Sequence, residues 1–297
     1  MKDENMSNLQ TVIGVIGGSG VYEIDGLTNK QWKKVNSSFG EPSDELLFGE
    51  LDGQKMVFLP RHGRRHRIPP SEINYRANID ALKRAGVSEI ISVSAVGSLR
   101  EDLKPGMFVI VDQFIDRTFA RKKSFFTSGL VAHVSMAEPV CKRLGNHIQN
   151  IAQKIGINIV RGGTYIAMEG PQFSSVAESE LYRSWGCDVV GMTNMPEAKL
   201  AREAEMCYVS IAMVTDYDCW HKEHDNVSVE AMIKVLMDNA DNARSLVKSA
   251  TSIVSSDPQS SECQCKFSLE NAIITSDGHR DKELVIKLDA VAGRLLK

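Results

Sequence analysis

Residues 207–220 read CYVSIAMVTDYDCW, an apolar run that ends abruptly in two acidic residues on either side of a tyrosine. The first half of this stretch is almost free of charge, which predicts a strand that is buried on both faces. Asp216 and Asp218 then stand at the carboxyl end of the strand, where open α/β sheets place their ligands. The stretch therefore predicts an α/β fold and the position of a site within it.

Asp216 and Asp218 are two residues apart, so their side chains point the same way if the strand geometry continues. Two carboxylates that are partly screened from water push one pKa upward. A carboxylic acid that is still protonated near neutral pH can donate a proton to a leaving group. From this stretch alone, a simple capping role at the next helix stays equally open for either residue.

Strands and helices alternate along the rest of the chain. Apolar runs predict strands within 11–22, 46–50, 55–59, 90–96, 108–115, 164–173 and 187–192, of which 46–50 and 55–59 form a hairpin around Asp52-Gly53. Helical spacing predicts helices at 71–85, capped by Ser71, and at 139–155, 177–185, 196–204, from Ser228 onward and at 284–295. This order predicts one domain, residues 11–297, with a central mixed, largely parallel β-sheet flanked by helices.

Four segments are expected to behave differently from this domain core. Residues 1–10 are polar and predict a flexible N-terminal extension, and 255–262 predict a short linker. Residues 263–297 carry apolar positions that must be buried on their own domain or on a partner, and we expect a subunit interface. Residues 116–129 are polar and irregular, which is typical of an exposed loop or a lid.

Composition excludes several classes of function. The chain has 297 residues, of which 42% are hydrophobic and 25% charged, and its net charge of -3 comes from interspersed basic and acidic residues. That balance offers no footprint for nucleic acid or for an anionic membrane. The start of the chain lacks the pattern of a signal peptide, and no apolar run approaches the roughly 18 residues of a membrane span. We therefore expect a cytoplasmic protein with small-molecule ligands.

The six cysteines are scattered and form no disulfide framework. Cys263 and Cys265 are separated by one residue, whereas zinc knuckles usually have two or more between their cysteines, and no second Cys/His pair lies near them in the sequence. The spacing favours free thiols and no metal, although a local disulfide stays open under oxidising conditions.

A glycine-rich turn follows the first predicted strand. Gly17, Gly18, Ser19 and Gly20 let the backbone turn sharply and present successive N–H groups to an anion. The spacing fails the dinucleotide-binding fingerprint, and the Lys of a Walker loop is absent. The turn is therefore a candidate anion site, and a purely structural turn is equally possible.

The most basic stretch is PRHGRRHRIPP, residues 60–70. An arginine fork binds an oxyanion through two hydrogen bonds, so this loop is a candidate phosphate clamp. The alternative is a solvated basic loop that pairs with acidic neighbours. Ser94 and Ala95, near the end of the strand 90–96, would add a hydroxyl and backbone N–H groups beside the glycine turn.

Six motifs occur in order: GVIGGSGVY, PRHGRRH, SVSAVGS, MEGPQFSS, VVGMTNMPEAKLA and VTDYDCW. Together they closely resemble the methylthioadenosine phosphorylases of the trimeric purine nucleoside phosphorylase family. The resemblance implies a pentosyltransferase that uses inorganic phosphate as a co-substrate and needs no cofactor. The implied products are adenine and 5-methylthioribose 1-phosphate, and the implied assembly is a homotrimer or a hexamer built from trimers.

The resemblance also implies roles for individual residues. Asp216 would assist departure of the purine at N7, and Asp218 would support it. Phosphate contacts would come from Gly18, Ser19, Arg61, His62, Ser94, Ala95 and Thr193. The nucleoside would meet Phe173, Ser174, Met192, His133, Val229 and Met232, of which the last three match positions around the methylthio group.

The base can be inferred from two positions. The branch of the family that acts on 6-oxopurines carries glutamate where Ser174 stands and asparagine where Asp216 stands. Neither is present here, which favours adenine. The alternative within the same fold is phosphorolysis of 6-oxopurine nucleosides or of methylthioinosine, and the alternative outside enzymes is a purine or phosphate sensor that binds without turnover.

Overall fold

The computed structural model describes residues 11–18, 21, 23–221, 229–254 and 263–296. The predicted N-terminal extension and linker, and Ser228 at the start of a predicted helix, lie outside these residues. No helix among them is long and apolar enough to cross a membrane.

Eleven strands of the described chain form one sheet. They are β1 Val12–Gly17, β2 Thr28–Lys33, β3 Leu46–Leu51, β4 Gln54–Pro60, β5 Val87–Ser98, β6 Phe108–Val111, β7 Gln113–Asp116, β8 Ile159–Arg161, β9 Thr164–Ala167, β10 Val189–Gly191 and β11 Cys207–Asp216. Six of the ten strand pairings are parallel. The predicted mixed, largely parallel sheet is confirmed.

Strand β5 is the branch point of the sheet. The main path runs β2-β3-β4-β1-β5-β10-β9-β7. β11 pairs with the opposite edge of β5, then β6 pairs with β11 and β8 with β6. Gly97 of β5 pairs both with Asp216 of β11 and with Val190 of β10. The carboxyl end of β5 is therefore where the two arms of the sheet meet, and the predicted acids stand there.

Seven α-helices flank this sheet in the described chain. They are α1 Tyr75–Arg84, α2 Lys142–Lys154, α3 Val176–Ser184, α4 Asn194–Glu203, α5 Val229–Val254, α6 Lys282–Lys287 and α7 Asp289–Ala292. The predicted capping of the first helix by Ser71 is wrong. The Asn74 side chain caps α1 by accepting from the Ala77 N–H, because Ser71 lies in a preceding 3-10 turn and donates to Glu169 instead.

Strand β11 is buried along its length, as its apolar sequence predicts. Nine of its ten residues are buried and only Asp216 is partly exposed. The strand runs parallel to β5 on one side and antiparallel to β6 on the other. A strand that is paired on both edges and covered on both faces fixes the direction of whatever follows it.

The single strand expected at 108–115 is two strands. β6 pairs with β11 and β8, while β7 pairs with β9 in the other arm of the sheet. Asp112 stands at the break, where its carboxylate accepts the Gly163 N–H at 3.0 Å. The apolar run is thus divided between two arms, which hydrophobicity alone does not reveal.

Buried contacts hold part of the segment 116–129 against the core. Phe125 is fully buried in the core, and the Arg121 guanidinium donates to Glu169 at 3.0 Å and to the Met195 carbonyl at 2.7 Å. Phe119 is 82% exposed. The segment therefore has one exposed part, and its other part is held by buried contacts.

The tail after residue 263 packs against its own chain. Ala132 forms a β-bridge with Ile273, Arg84 pairs with Asp289, and Arg294 donates to Glu205 at 2.8 Å. The one helix expected at 284–295 is the two short helices α6 and α7, which meet at Leu288. Burial at a subunit interface stays a prediction.

Candidate active site

Asp216 and Asp218 lie together at the carboxyl end of β11. The Asp216 carboxylate accepts the Asp218 N–H at 2.8 Å and the Thr215 hydroxyl at 2.7 Å. The backbone of Asp218 has φ 52°, so the chain bends sharply just after the strand. The two side chains therefore do not simply continue the alternation of a strand, and a local turn brings them together.

Burial raises the pKa of both carboxyl groups. For Asp216 the cause is burial, which its hydrogen bonds to neutral donors offset only in part. For Asp218 burial is again the largest cause, and the charge of Asp216 adds to it. The site therefore favours a protonated carboxyl group over two free carboxylates.

Gly97 of β5 packs directly against this acid pair. A Cβ atom at that position would lie 2.9 Å from an Asp216 carboxylate oxygen and 3.2 Å from the Cβ of Asp218. The absence of a side chain on Gly97 is what lets both acids sit against the end of β5.

Residues from the MEGPQFSS motif border the acids. The Ser174 hydroxyl lies 3.5 Å from the Met168 sulfur, and the Ser174 carbonyl accepts the Cys219 thiol at 3.3 Å. The Ser174 side chain also interacts with Asp218, which moderates the rise in the pKa of that carboxyl. Phe173 is 39% exposed. These contacts join the predicted base-binding segment to the acid pair.

The second group of predicted residues gathers where β1 and β4 end. The Arg61 N–H donates to the Gly17 carbonyl at 3.0 Å, which ties the basic loop to the glycine turn. Gly18 follows in a bend, and a Cβ there would meet no atom of the described residues within 4 Å. The structure therefore leaves room beside the backbone of the glycine turn; Ser19 lies outside the described residues.

Arg61 is buried and paired inside the protein. Its guanidinium donates to both oxygens of Glu197, at 2.9 and 3.1 Å, and to the Ser92 hydroxyl and the Val93 carbonyl at 2.7 and 3.0 Å. The Tyr208 hydroxyl donates to the same carboxylate at 2.9 Å. Most of the fork that could grip an oxyanion is thus engaged by protein groups.

Two other arginines of the basic loop are engaged by protein groups. Arg64 donates to Asp44 at 2.8 Å and Arg67 donates to the Ser43 carbonyl at 3.0 Å. These two residues therefore follow the alternative interpretation of the loop, in which basic residues hold a neighbouring segment.

His62 points inward from the same loop. Its Nδ1 lies 2.9 Å from the Ile68 carbonyl and therefore carries the proton, because a carbonyl oxygen can only accept. Burial, aided by the charge of Arg61, lowers the pKa of His62 to about 4. At neutral pH the ring is thus uncharged, and its Nε2 has a lone pair to offer.

Ser94 and Thr193 converge on the buried phenol of Tyr165. The Tyr165 oxygen accepts the Thr193 N–H at 3.3 Å, and the side chains of both residues lie against it. The Ser94 hydroxyl donates to Asn194 at 3.0 Å. Ala95 is the next residue of β5 and pairs with Met213 of β11.

The Met192 side chain packs beneath the turn at Gly170. A Cβ on Gly170 would lie 2.5 Å from the Met192 sulfur, so the turn at Gly170 rests directly on that side chain. Arg121 donates to the Met192 carbonyl and to the Glu169 carbonyl, the latter at 2.7 Å. The methionine is therefore held from both sides.

Among the described residues, no hydrogen bond joins His133 to these groups. His133 is exposed, and its N–H donates to the Ala272 carbonyl at 2.9 Å, beside the tail. The side chains of Val229 and Met232 lie outside what the structure describes.

Several residues that shape the site escaped the sequence reasoning. Glu197, Asn194, Gly97 and Glu169 lie within quoted motifs, and Tyr165 and Arg121 lie outside them. Glu197 lies in a helix that also carries Lys199, Arg202 and Glu203, so its local sequence does not distinguish it from a surface carboxylate. Tyr165 gave no signal that distinguishes it from a core residue, and the motif around Gly97 did not reveal its contact with the acids.

Similar proteins were found along nearly the whole chain. The model of the phosphorylase superfamily matches residues 12–252. The S-methyl-5'-thioadenosine phosphorylase of Rhodospirillum rubrum is 63% identical and covers 97% of this chain and 98% of its own length. The protein of the same name from Cereibacter sphaeroides is 59% identical, with 97% and 100% covered.

Solved structures agree in fold. A crystal structure of methylthioadenosine phosphorylase sourced from an Antarctic soil metagenomic library has a TM-score of 0.89 at 46% identity, with 95% of this chain and 99% of that chain covered. Methylthioadenosine phosphorylase from Schistosoma mansoni in complex with adenine has a TM-score of 0.82 at 37% identity, with 87% and 97% covered. The resemblance seen in the motifs is confirmed, and the chain belongs to the phosphorylase superfamily.

Proposed function

We propose that this protein cleaves 5'-methylthioadenosine with inorganic phosphate, giving adenine and 5-methylthioribose 1-phosphate. Relatives named for that activity match almost the whole chain, and the Schistosoma mansoni relative binds adenine. Phosphate is the second substrate of the reaction, and the proposal needs no cofactor.

The observation that carries the proposal is that strand β5 serves both halves of the site. Ser94 belongs to the polar group around Tyr165, while Gly97 touches the acid pair. Three residues of extended strand span about 10 Å. A nucleoside that lies along this edge places its ribose and the attacking phosphate near the first group and its purine near the second.

The proposed reaction breaks one bond and forms another at the anomeric carbon. A phosphate oxygen bonds to that carbon while the bond to the purine N9 breaks, and the electron pair of that bond leaves with the purine. Asp216 transfers its proton to N7, so that adenine leaves as a neutral molecule. General-acid assistance of this kind is worth roughly 10²–10⁴-fold in rate.

The protonated state of Asp216 is supported by its surroundings. Burial raises its pKa, and the described hydrogen bonds to its carboxylate come from a hydroxyl and a backbone N–H rather than from a cation. Asp218 would orient the site and accept a hydrogen bond from the 6-amino group of adenine. Phe173 and Ser174 would line the purine, and Met192 would lie against the ribose.

On the phosphate side, we propose contacts from Gly18, Ser19, Arg61, His62, Ser94, Ala95 and Thr193. His62 is uncharged at neutral pH, so its Nε2 would accept a hydrogen bond from a phosphate hydroxyl. Arg61 would contribute through the part of its guanidinium fork that Glu197, Ser92 and Val93 leave unengaged, because Glu197 already offsets its charge. The contacts described for His62 and Arg61 support both roles.

The 5' end of the nucleoside would meet His133, Val229 and Met232. Valine and methionine form a soft apolar wall that suits a thioether better than a hydroxyl. His133 lies beside the tail of its own chain, so we propose that it completes the pocket of a neighbouring subunit in a trimer or a hexamer. Sedimentation velocity of the purified protein would contradict this proposal if it gave a monomer.

A product assay tests the function. The protein is incubated with 5'-methylthioadenosine with and without phosphate, and the assay resolves adenine from hypoxanthine and the pentose 1-phosphate from the free pentose. We expect adenine and the phosphorylated pentose only with phosphate. Equal release of adenine without phosphate would establish hydrolysis instead, and faster turnover of methylthioinosine would overturn the choice of base.

A further inference from the structure

Four cysteines from three separate parts of the chain meet in one buried cluster, which we call the thiol cluster. It consists of Cys141, Cys207, Cys263 and Cys265, and all four are buried. Their sulfur atoms lie within 4.8 Å of one another. The sequence argument against a metal site was the lack of a second pair near Cys263 and Cys265, and the fold supplies that pair.

Each cysteine is placed by a rigid element. Cys141 caps the start of α2, where its sulfur accepts the Leu144 N–H at 3.5 Å. Cys207 is the first residue of β11, and Cys263 precedes the 3-10 turn that contains Cys265. The Cys141 N–H donates to the Tyr208 carbonyl at 2.8 Å, which brings the start of α2 next to the start of β11.

The distances between sulfur atoms fit a shared ion better than a disulfide. Cys263 lies 3.6 Å from Cys141 and 3.4 Å from Cys207, sulfur to sulfur. A tetrahedral zinc site with Zn–S bonds of about 2.3 Å separates its sulfurs by about 3.8 Å. A disulfide requires about 2.0 Å, and all six cysteines are thiols in this structure.

Two arginines face the thiol cluster. Arg202 donates to the Cys265 sulfur at 3.5 Å, and Arg143 donates to the Cys207 sulfur at 3.7 Å. A guanidinium group has only donors and binds best to anionic acceptors. A Zn²⁺ ion with four thiolates carries a net charge of about -2. Arg202 can offset part of that charge, while Arg143 is shared between Cys207 and the buried carboxylate of Glu89.

From this geometry we infer that the thiol cluster is a structural zinc site of the Cys₄ type. The four thiols lose their protons when Zn²⁺ binds, so that four S–H bonds are replaced by four Zn–S bonds without any change of oxidation state. All four coordination positions are filled by the protein, which is typical of structural rather than catalytic zinc. The ion fastens the tail to α2 and β11.

The site is remote from the proposed chemistry. Cys207 and Asp216 stand at opposite ends of β11, and nine steps along a strand span about 30 Å. Loss of the ion should therefore lower stability and leave the catalytic groups in place. The inference does not depend on the proposed substrate.

The first test measures metal in the tag-free wild-type protein, purified without chelator, by elemental mass spectrometry. We expect about one zinc per chain. Cys263→Ser should lose most of it, whereas Cys187→Ser should keep it. Cys187 is a matched control because it is equally buried, lies in another apolar cluster, and has a pKa that burial raises to about 11.

The second test needs no variant and so does not depend on how a mutant folds. Native mass spectrometry and thiol alkylation are compared before and after treatment with a zinc chelator. We expect four cysteines to become reactive together as zinc is released, with a loss of about 5–15 °C in Tm. A metal-free protein, a protein that contains iron, or a denatured mass lowered by the hydrogens of disulfides would each overturn the zinc assignment.

Discussion

The two ends of strand β11 hold titratable groups in opposite electrostatic settings. At the carboxyl end, the hydrogen-bond donors described for the Asp216 carboxylate are a hydroxyl and a backbone N–H. At the amino end, Arg143 and Arg202 donate to sulfur atoms of the thiol cluster. Burial without a cation favours a group that keeps its proton, whereas four thiols whose sulfurs lie within 4.8 Å of one another can release their protons to a shared ion. One end therefore suits proton transfer, and the other suits a fixed ion.

The largest expected loss of activity comes from a substitution at the carboxyl end of β11. Asp216→Asn keeps the shape of the side chain and removes its acidic proton, so we expect kcat on 5'-methylthioadenosine to fall by roughly 10²–10⁴-fold. The Tm should change little, because the amide oxygen can accept the Asp218 N–H and the amide NH2 can donate to the Thr215 hydroxyl. Steady-state kinetics and a thermal melt provide both measurements.

The control for this variant is Asp102→Asn, which alters an exposed carboxylate that is paired with Arg100. It should behave like the wild type. We also expect Asp216→Asn to shift the ratio of efficiencies on adenosine and inosine analogues toward the 6-oxopurine. If Asp216→Asn kept wild-type turnover, the acid role of Asp216 would be wrong.

A smaller loss is expected from Gly97→Ala, which leaves both acids chemically intact. The added methyl group would lie 2.9 Å from the Asp216 carboxylate and must push it away from the end of β5. Displacement of a catalytic group by about 1 Å can cost about 10²-fold. A kcat that falls with little change in the KM for phosphate would locate the damage at the acid pair, and unchanged kinetics would contradict the packing argument.

The pH dependence of kcat tests the carboxyl end of β11 without a substitution. A carboxyl group with a raised pKa stays protonated to higher pH, so activity should be present below that pKa and decline by about tenfold per pH unit above it. The profile is recorded at saturating phosphate and nucleoside. The residual activity of Asp216→Asn should lack this decline, and a decline that survives the substitution belongs to another group.

The sequence predicted the carboxyl end better than the amino end. An apolar run that stops at acidic residues is a local pattern, so β11, the acids at its end and the hairpin β3–β4 could be predicted from neighbouring residues. The family motifs then predicted which residues accompany them. The residue that makes room for the acids, Gly97, comes from β5 and gave no local signal.

The thiol cluster shows why features that depend on contacts between distant parts of the chain could not be predicted from the sequence. Cys263 and Cys265 alone have the wrong spacing for a metal, and Cys141 and Cys207 are distant from them along the chain. Only the packing of α2 and the tail against the start of β11 brings the four together. The split of 108–115 into β6 and β7 escaped for the same reason, because it depends on which strands become neighbours.

The smallest effect on turnover is expected at the amino end of β11. Arg202→Gln removes a positive charge that faces Cys265, so zinc should be lost to a chelator faster and Tm should fall by about 2–4 °C for each kcal/mol lost. The kcat should stay within about twofold of the wild type, because the proposed acid lies about 30 Å away along the strand. Arg202→Lys keeps the charge and should restore much of the resistance to the chelator. If turnover fell together with the zinc content, the two ends of β11 would be coupled. That result would contradict the independence of the two ends.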